Sequence, residues 1–165
     1  MVDALHILAV VLVALAAALS VAHALEMPGK MRLDKDNYLA VQCIYYPGFT
    51  FGGFSEPLGA AAIAFLMYFV PAGSAAFWLM LIALISMFAM MGVFWLVTQP
   101  ANKVWTQNMK MGAAGAGFFK AGPSGREVSG DWTSVRDRWE WSHVARAALA
   151  TIAFLSLLTA LALRS

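Results

Sequence analysis

The chain has 165 residues, of which 61% are hydrophobic and only 12% are charged. Soluble domains carry roughly 45–50% apolar and about 25% charged residues, so this composition excludes both a soluble globular protein and a disordered chain. The net charge of +2 argues against a nucleic-acid partner, and the single cysteine excludes an internal disulfide framework. These exclusions leave an integral membrane protein in contact with the lipid bilayer.

Four segments are predicted to cross the membrane, because each supplies about 20 largely apolar residues. They cover about 4–25, 51–70, 75–97 and 143–163. The first lacks a positively charged start, so we expect an uncleaved span and not a signal peptide. Residues 71–74 predict a tight turn that joins the second and third spans into a hairpin. The expected fold is all-α: one membrane domain over residues 1–165, built as a four-helix bundle.

The basic residues indicate how the bundle is oriented. Four spans place both termini and the turn at 71–74 on one side, and the connections at about 26–50 and 98–142 on the other. Arg164 is the only Lys or Arg on the first side, against ten on the second. Positive charge is retained in the cytoplasm, so both termini should be extracytoplasmic, in a bacterial inner membrane. The ten are Lys30, Arg32, Lys35, Lys103, Lys110, Lys120, Arg126, Arg136, Arg138 and Arg146.

The first connection predicts a short amphipathic helix at about 35–46, capped by Asp34 or Asp36. One face of this helix carries aromatic and polar residues at i, i+3, i+4 and i+7. We expect it to lie at the membrane interface, where tyrosines form aromatic belts. The alternative is a lid over a pocket. The residues on this face are Tyr38, Val41, Gln42 and Tyr45.

The second connection begins with a glycine-rich tract at 112–117, which continues through 122–125 to Gly130. This composition is typical of a flexible segment. It lacks the Lys-Ser/Thr ending of a phosphate-binding loop, so nucleotide binding is not expected. The aromatic and charged residues of 132–141 are expected at the membrane surface.

Unusual polar residues concentrate at one end of the predicted bundle. His23 and Glu26 share a helix face at i, i+3, and Trp139, His143 and Arg146 share another at i, i+4, i+7. Ionisable residues within membrane spans usually face the bundle interior. We therefore expect a polar cup that opens to the cytoplasm; the alternative is that these side chains snorkel to the lipid headgroups. The residues at this depth are His23, Glu26, Glu56, Gln99, Asn102, His143 and Arg146.

Several chemistries fit such a cup. His23, Glu26, Glu56 and His143 are acceptable ligands for a transition metal, and the two histidines suit bis-histidine haem ligation. No metal-binding motif with the usual spacing is present. No cofactor is therefore predicted, with metal and haem kept as alternatives. A general base is simpler, because a partly buried His or Glu can serve in proton transfer.

Four short motifs resemble the DUF1772 family of small membrane proteins, which includes the anthrone oxygenases. They are 22–28 (AHALEMP), 38–46 (YLAVQCIYY), 98–102 (TQPAN) and 139–146 (WEWSHVAR), and they follow the family's order along nearly the whole chain. The resemblance implies a four-helix membrane bundle. The anthrone oxygenases insert oxygen into an activated polyketide carbanion without metal or flavin: a base removes a proton, and the anion reacts with dioxygen.

The resemblance and the cup together suggest roles for individual residues. His23, Glu26, His143 and Arg146 are the candidate catalytic residues, with Arg146 holding negative charge and His143 exchanging the proton. The resemblance also carries over Asn102, as a ligand-orienting residue. Glu56, the glycine-rich tract and the tryptophan cluster are not features that the resemblance assigns. The candidate substrate-binding residues are Asn102, Glu56, Tyr38, Gln42 and Trp139.

Two classes of function follow. The first is a cofactor-independent, oxygenase-like enzyme that acts on a lipophilic, enolisable small molecule. The second is a non-catalytic small subunit or assembly factor of a larger membrane complex, or a bundle that binds metal or haem. Ala14, Ala18 and Ala22 form a small-residue stripe suited to helix docking, so a homo-oligomer or larger complex stays a possible partner.

Overall fold

The computed structural model describes residues 2–106, 110, 112–120 and 131–163, and helix is the only regular secondary structure in these ranges. Four of the described helices are long and apolar enough to cross a membrane. The predicted fold class is therefore confirmed, and the chain is an integral membrane protein. The four membrane helices are Val2–Lys30, Gly48–Met67, Ala75–Trp105 and Trp132–Ala162.

Two of these long helices are composite. We label the helices in chain order as α1 (Val2–Lys30), α2 (Lys35–Gln42), α3 (Gly48–Gly52), α4 (Ser55–Met67), α5 (Ala75–Val93), α6 (Gln99–Trp105), α7 (Ala113–Lys120) and α8 (Trp132–Ala162). The second membrane helix is α3 followed by α4. The third is α5 and α6, joined by a wide π-helical turn at Phe94–Thr98, and a 3₁₀ turn at Cys43–Tyr45 follows α2.

The bundle core is built from residues that recur in alternating steps of four and three. Such spacing keeps one stripe of each helix facing its neighbours. On α8 the stripe contains Ala150, Ala153 and Leu157, all with no exposed surface. Small residues dominate because they let helix backbones approach closely in a membrane, where packing drives association. The outward faces carry large exposed apolar side chains, including Val11 and Phe88, which suit contact with lipid.

A tight turn reverses the chain between α4 and α5, as the sequence predicts. Gly73 has φ of +82°, a backbone conformation that glycine adopts without steric cost. The hydroxyl of Ser74 then accepts a hydrogen bond of 3.1 Å from the Phe77 N–H and caps the start of α5.

The π turn follows from the position of Pro100. Proline has no N–H to donate, and its ring crowds the carbonyl four residues earlier, which favours a local distortion of the helix before it. The chain responds by widening, and the Gln99 N–H donates to the carbonyl of Phe94, five residues back. Such turns occur frequently at functional sites.

The glycine-rich tract differs from the prediction. Its residues from 113 onward are helical, within Ala113–Lys120, and not an irregular flexible segment. Tertiary contacts explain the difference. The carbonyl of Phe118 accepts a hydrogen bond of 2.9 Å from the Gln99 amide, and any side chain at Gly115 would collide with the ring of Tyr46. The rest of the predicted flexible segment, 122–125 and Gly130, lies outside the described residues.

The aromatic segment at 132–141 also differs in part. Trp141 is 61% exposed, as expected of a surface residue. Trp139 is 3% exposed, as the face that it shares with His143 predicts, whereas Glu140 is 0% exposed and does not lie at the surface. The α-helical period explains the split, because residues 139 and 140 lie on the inner face of α8 while residue 141 lies on its outer face.

Candidate functional site

A cavity of about 410 Å³ lies at one end of the bundle, among α1, α3, α4, the π turn, α7 and α8. This volume is in the range of roughly 300–1,000 Å³ that is usual for small-molecule sites. Its apolar wall is rich in aromatic side chains, which favours a flat hydrophobic ligand. The aromatic residues of the wall are Tyr45, Tyr46, Phe49, Phe54, Phe94, Trp95, Trp105, Phe118, Phe119 and Trp139.

Two histidines from the neighbouring helices α1 and α8 meet at this cavity. The ring centroids of His23, on α1, and His143, on α8, are 4.1 Å apart. Trp139 packs against both rings, at 5.3 Å from His23 and 4.2 Å from His143. Both imidazoles are buried, with exposures of 6% and 4%, and His23 Nδ1 and His143 Nε2 have no hydrogen-bond partner. Buried polar atoms without partners are rare, and each calls for an explanation such as a catalytic role.

An arginine links the histidine pair to α4. The guanidinium of Arg146 donates through Nη2 to Glu56 Oε1, and its Nη1 lies 3.4 Å from His143 Nδ1. Because arginine only donates, His143 Nδ1 acts as the acceptor, and the neutral imidazole then carries its proton on Nε2. The Nε of Arg146 is also buried without a partner. Two buried N–H groups, one on each side chain, are therefore unused.

A chain of side-chain hydrogen bonds fixes the wall that α6 and the π turn form with α8. Trp139 Nε1 donates to Asn102 Oδ1 at 2.7 Å, and Asn102 Nδ2 donates to Gln99 Oε1 at 3.2 Å. The hydroxyls of Thr98 and Ser142 lie 2.9 Å apart. These contacts hold α6 and the π turn against α8. The Pro-x-Asn segment thus positions the indole that packs on both histidines.

The first connection covers the cavity and does not lie as an isolated interfacial helix. Asp34 caps α2 by accepting a hydrogen bond of 2.9 Å from the Asn37 N–H, as predicted. The inner face then packs inward: Tyr38 is fully buried, and Gln42 and Tyr45 are 7% and 9% exposed. Tyrosines so deeply buried do not form an aromatic belt. The lid interpretation therefore describes this segment better than the interfacial one.

Hydrogen bonds to carboxylates secure this lid. The hydroxyl of Tyr38 donates to Glu140 Oε1 at 2.9 Å, and that of Tyr45 donates to Glu26 Oε2 at 2.5 Å. Burial raises the pKa of Tyr38, and the charge of Glu140 raises it further. Burial and the bond to Glu26 likewise raise the pKa of Tyr45. Both phenols therefore stay protonated donors at neutral pH.

Two important residues here were not among the predicted site residues. Lys30, counted as a topology signal, is 4% exposed; its Nζ lies 3.2 Å from Glu140 Oε1 and 4.5 Å from the centre of the Trp139 ring. Helical periodicity could have identified both residues, Lys30 and Glu140. Lys30 lies seven residues after His23 and Glu140 three before His143, so each continues the face of its histidine.

Seven of the nine predicted site residues line the cavity. Glu26 and Tyr38 are the two that do not line it. Glu26 accepts a hydrogen bond from Tyr45, and Tyr38 donates one to Glu140. His6 lies at the far end of the bundle, with Nε2 at 3.1 Å from the Leu157 carbonyl. The seven lining residues are His23, Gln42, Glu56, Asn102, Trp139, His143 and Arg146.

The predicted metal ligands do not form one cluster. Within the described ranges, no group of three or more His, Cys, Asp and Glu is placed to hold a metal ion. The contact between the rings of His23 and His143 leaves no space for a porphyrin between them. The expectation that no cofactor is needed stays a prediction.

Comparisons with known proteins give one match. No curated protein and no solved structure matches the chain. The sequence profile described as anthrone oxygenase matches residues 44–156, which include α4, α5, the π turn and the histidine and arginine of α8. This match covers well over half of the chain and agrees with the resemblance seen in the short motifs. The chain therefore belongs to the anthrone oxygenase family.

Proposed function

We propose that this protein is a cofactor-independent oxygenase that acts on a lipophilic, enolisable aromatic ketone of the anthrone type. One observation carries the proposal: an aromatic cavity whose polar wall holds two touching imidazoles and an arginine. Such a wall can take a proton from carbon and stabilise the resulting anion, and the flat aromatic surfaces suit a polycyclic ligand.

The hydrogen bonding supports a division of labour between the histidines. Arg146 occupies Nδ1 of His143, so His143 offers an Nε2–H donor. Together with the unused Nε–H of Arg146, it suits the oxygen of an enolate. His23 makes no such bond, and its Nδ1 faces Glu26 at 3.9 Å. We therefore assign proton removal to His23, where the sequence alone favoured His143, and charge stabilisation to His143 and Arg146.

The proposed reaction uses dioxygen as the only oxidant. His23 takes one proton from the activated CH₂ group, and the electron pair moves to the ketone oxygen beside Arg146 and His143. The anion reduces dioxygen, a C–O bond forms, and return of the proton gives a hydroperoxide. Loss of the second C–H proton then breaks the O–O bond, which releases water and leaves a new carbonyl group.

Oxygen uptake by the purified protein tests this function. In detergent micelles with anthrone, we expect dioxygen consumption matched by quinone absorbance, above the rate without protein. His23→Phe should lower the rate by about 10²–10⁴-fold, the usual contribution of general base catalysis. His6→Gln is the matched control, because it alters a buried histidine at the opposite end. Equal rates with and without protein would contradict the proposal and favour a non-catalytic subunit.

We also propose that the cavity end faces the cytoplasm of a bacterium, with both termini outside its inner membrane. Lys30 and Arg146 are buried and cannot act as loop charges. By sequence, the connections at 26–50 and 98–142 still contain eight other Lys and Arg, whereas the termini and the turn at 71–74 contain only Arg164. This asymmetry supports the orientation, because positive charge is retained in the cytoplasm.

The single native cysteine offers a direct test of orientation. Cys43 is exposed in the connection at the cavity end. In intact cells, an impermeant maleimide should fail to label Cys43 and should label Ala72→Cys in a Cys43→Ser background, since Ala72 lies in the opposite turn. The reverse labelling pattern would overturn the proposed orientation.

A further inference from the structure

Glu26 lies between the buried imidazole of His23 and the outside of the bundle. Its Oε2 is 3.9 Å from His23 Nδ1, an atom that is buried and has no hydrogen-bond partner. The Glu26 side chain is 40% exposed, whereas that of His23 is 8% exposed. Direct proton transfer requires these two atoms to come closer, to a hydrogen-bond distance of about 3 Å.

The surroundings of Glu26 hold its carboxylate without neutralising it. The Tyr45 hydroxyl donates to Oε2 at 2.5 Å, which fixes that oxygen beside His23. Lys30 lies farther from Glu26, at 3.7 Å, than from Glu140, at 3.2 Å. One lysine is thus shared by two carboxylates, and the buried Glu140 takes the closer contact. The exposed part of the Glu26 side chain gives its carboxylate contact with water.

We propose that Glu26 relays protons between His23 and the aqueous phase. This inference rests on the proposed function. When His23 Nε2 takes a proton from the substrate carbon, the Nδ1 proton passes to the Glu26 carboxylate, so the imidazole returns to neutrality. Glu26 then gives its proton to water at its exposed side. The same steps in reverse return a proton to His23, and no atom other than hydrogen is transferred. Glu26 therefore acts through His23, with Tyr45 as its positioning partner.

Anaerobic hydrogen exchange tests the relay separately from oxygenation. The purified full-length protein is mixed with anthrone in D₂O under argon, and deuterium entering the CH₂ group is followed by mass spectrometry. Wild-type protein should accelerate this exchange above background. Glu26→Gln keeps the shape of the side chain but cannot carry a proton, so exchange should fall roughly tenfold or more. Asp137→Asn is the matched control, since its side chain is 47% exposed at the same end of the bundle.

A rescue experiment separates a relay from a structural role. Glu26→Ala should show the same loss, and added formate should restore exchange in proportion to its concentration, because a small acid can replace the missing carboxyl group. Circular dichroism checks that each variant is folded. If Glu26→Gln exchanged deuterium at the wild-type rate, the relay would be overturned, but the base role of His23 would stand. Loss in Glu26→Ala without formate rescue would also overturn it. No exchange by the wild-type protein would remove both proposals together.

Discussion

The two ends of the bundle interior use the same helix positions for different purposes. In the closed half, the inner stripe of α8 presents Ala153 and Leu157, both without exposed surface. In the open half, the same stripe presents Trp139, His143 and Arg146 around a cavity of about 410 Å³. The steps of four and three residues run through both halves without interruption.

The packing of the closed half therefore stabilises the bundle, so the open half can contain buried polar atoms without hydrogen-bond partners. Buried atoms without hydrogen-bond partners cost free energy, of the order of 1–3 kcal/mol each. His143 Nε2 and Arg146 Nε are two such atoms, and both lie in the open half. Small residues in the closed half bring the helices together closely, so the bundle holds the imidazoles in place without filling the cavity.

The largest expected effect comes from truncating a polar residue of the open half. His143→Ala should reduce oxygen uptake with anthrone by about 10²–10³-fold, because it removes a hydrogen-bond donor to the enolate oxygen. Thermal unfolding in detergent should change little, since the imidazole faces a cavity. If His143→Ala instead unfolds the protein, the two halves are not separable in this way.

The matched change in the closed half lies two heptads away on the same stripe of α8. Leu157→Ala should destabilise the bundle by about 2–5 kcal/mol, because it opens a void in a filled core. Oxygen uptake by the fraction that stays folded should equal that of the wild type. The measurement is denaturant titration of the micelle-bound protein followed by circular dichroism, with activity measured on the same samples.

A conservative change at the boundary should give an intermediate effect. Arg146→Lys keeps the positive charge beside Glu56 but loses the planar fork that also reaches His143. We expect kcat to fall by roughly tenfold, about 1.4 kcal/mol, with a smaller change in KM. Steady-state oxygen uptake at several anthrone concentrations measures both constants. An unchanged kcat would show that charge alone is sufficient at this position.

The smallest effect is expected at the lid, outside both halves. Tyr38→Phe removes the hydroxyl that bonds to the buried Glu140 and should cost about 1 kcal/mol of stability. Hydrogen exchange measured by mass spectrometry should show faster exchange of the amides of α2. Cys43, at the end of that helix, should also react faster with a thiol reagent, whereas unchanged rates would contradict a lid fastened at Tyr38.

The sequence was sufficient for the helices and for much of the site. Long apolar segments determine the membrane helices. Helical periodicity places His23 and Glu26 on one face, at the same end of the bundle as His143. The lid was harder to predict, because burial of Tyr38 depends on Glu140 in a distant helix. Helix α7 was missed because contacts with Tyr46 and Gln99 outweigh the weak helical propensity of glycine. Lys30 was not predicted as a site residue, because positive charge near a helix end usually indicates orientation.

The π turn at Phe94–Thr98 has a consequence for the angular position of everything that follows it. Relative to a regular helix it accommodates one additional residue, and one residue corresponds to about 100° of rotation. Deleting a single residue from this turn would turn α6 by that angle about its axis. Asn102 would swing away from the indole of Trp139, although no residue of the cavity had been substituted. The length of this turn therefore sets which side of α6 faces the cavity.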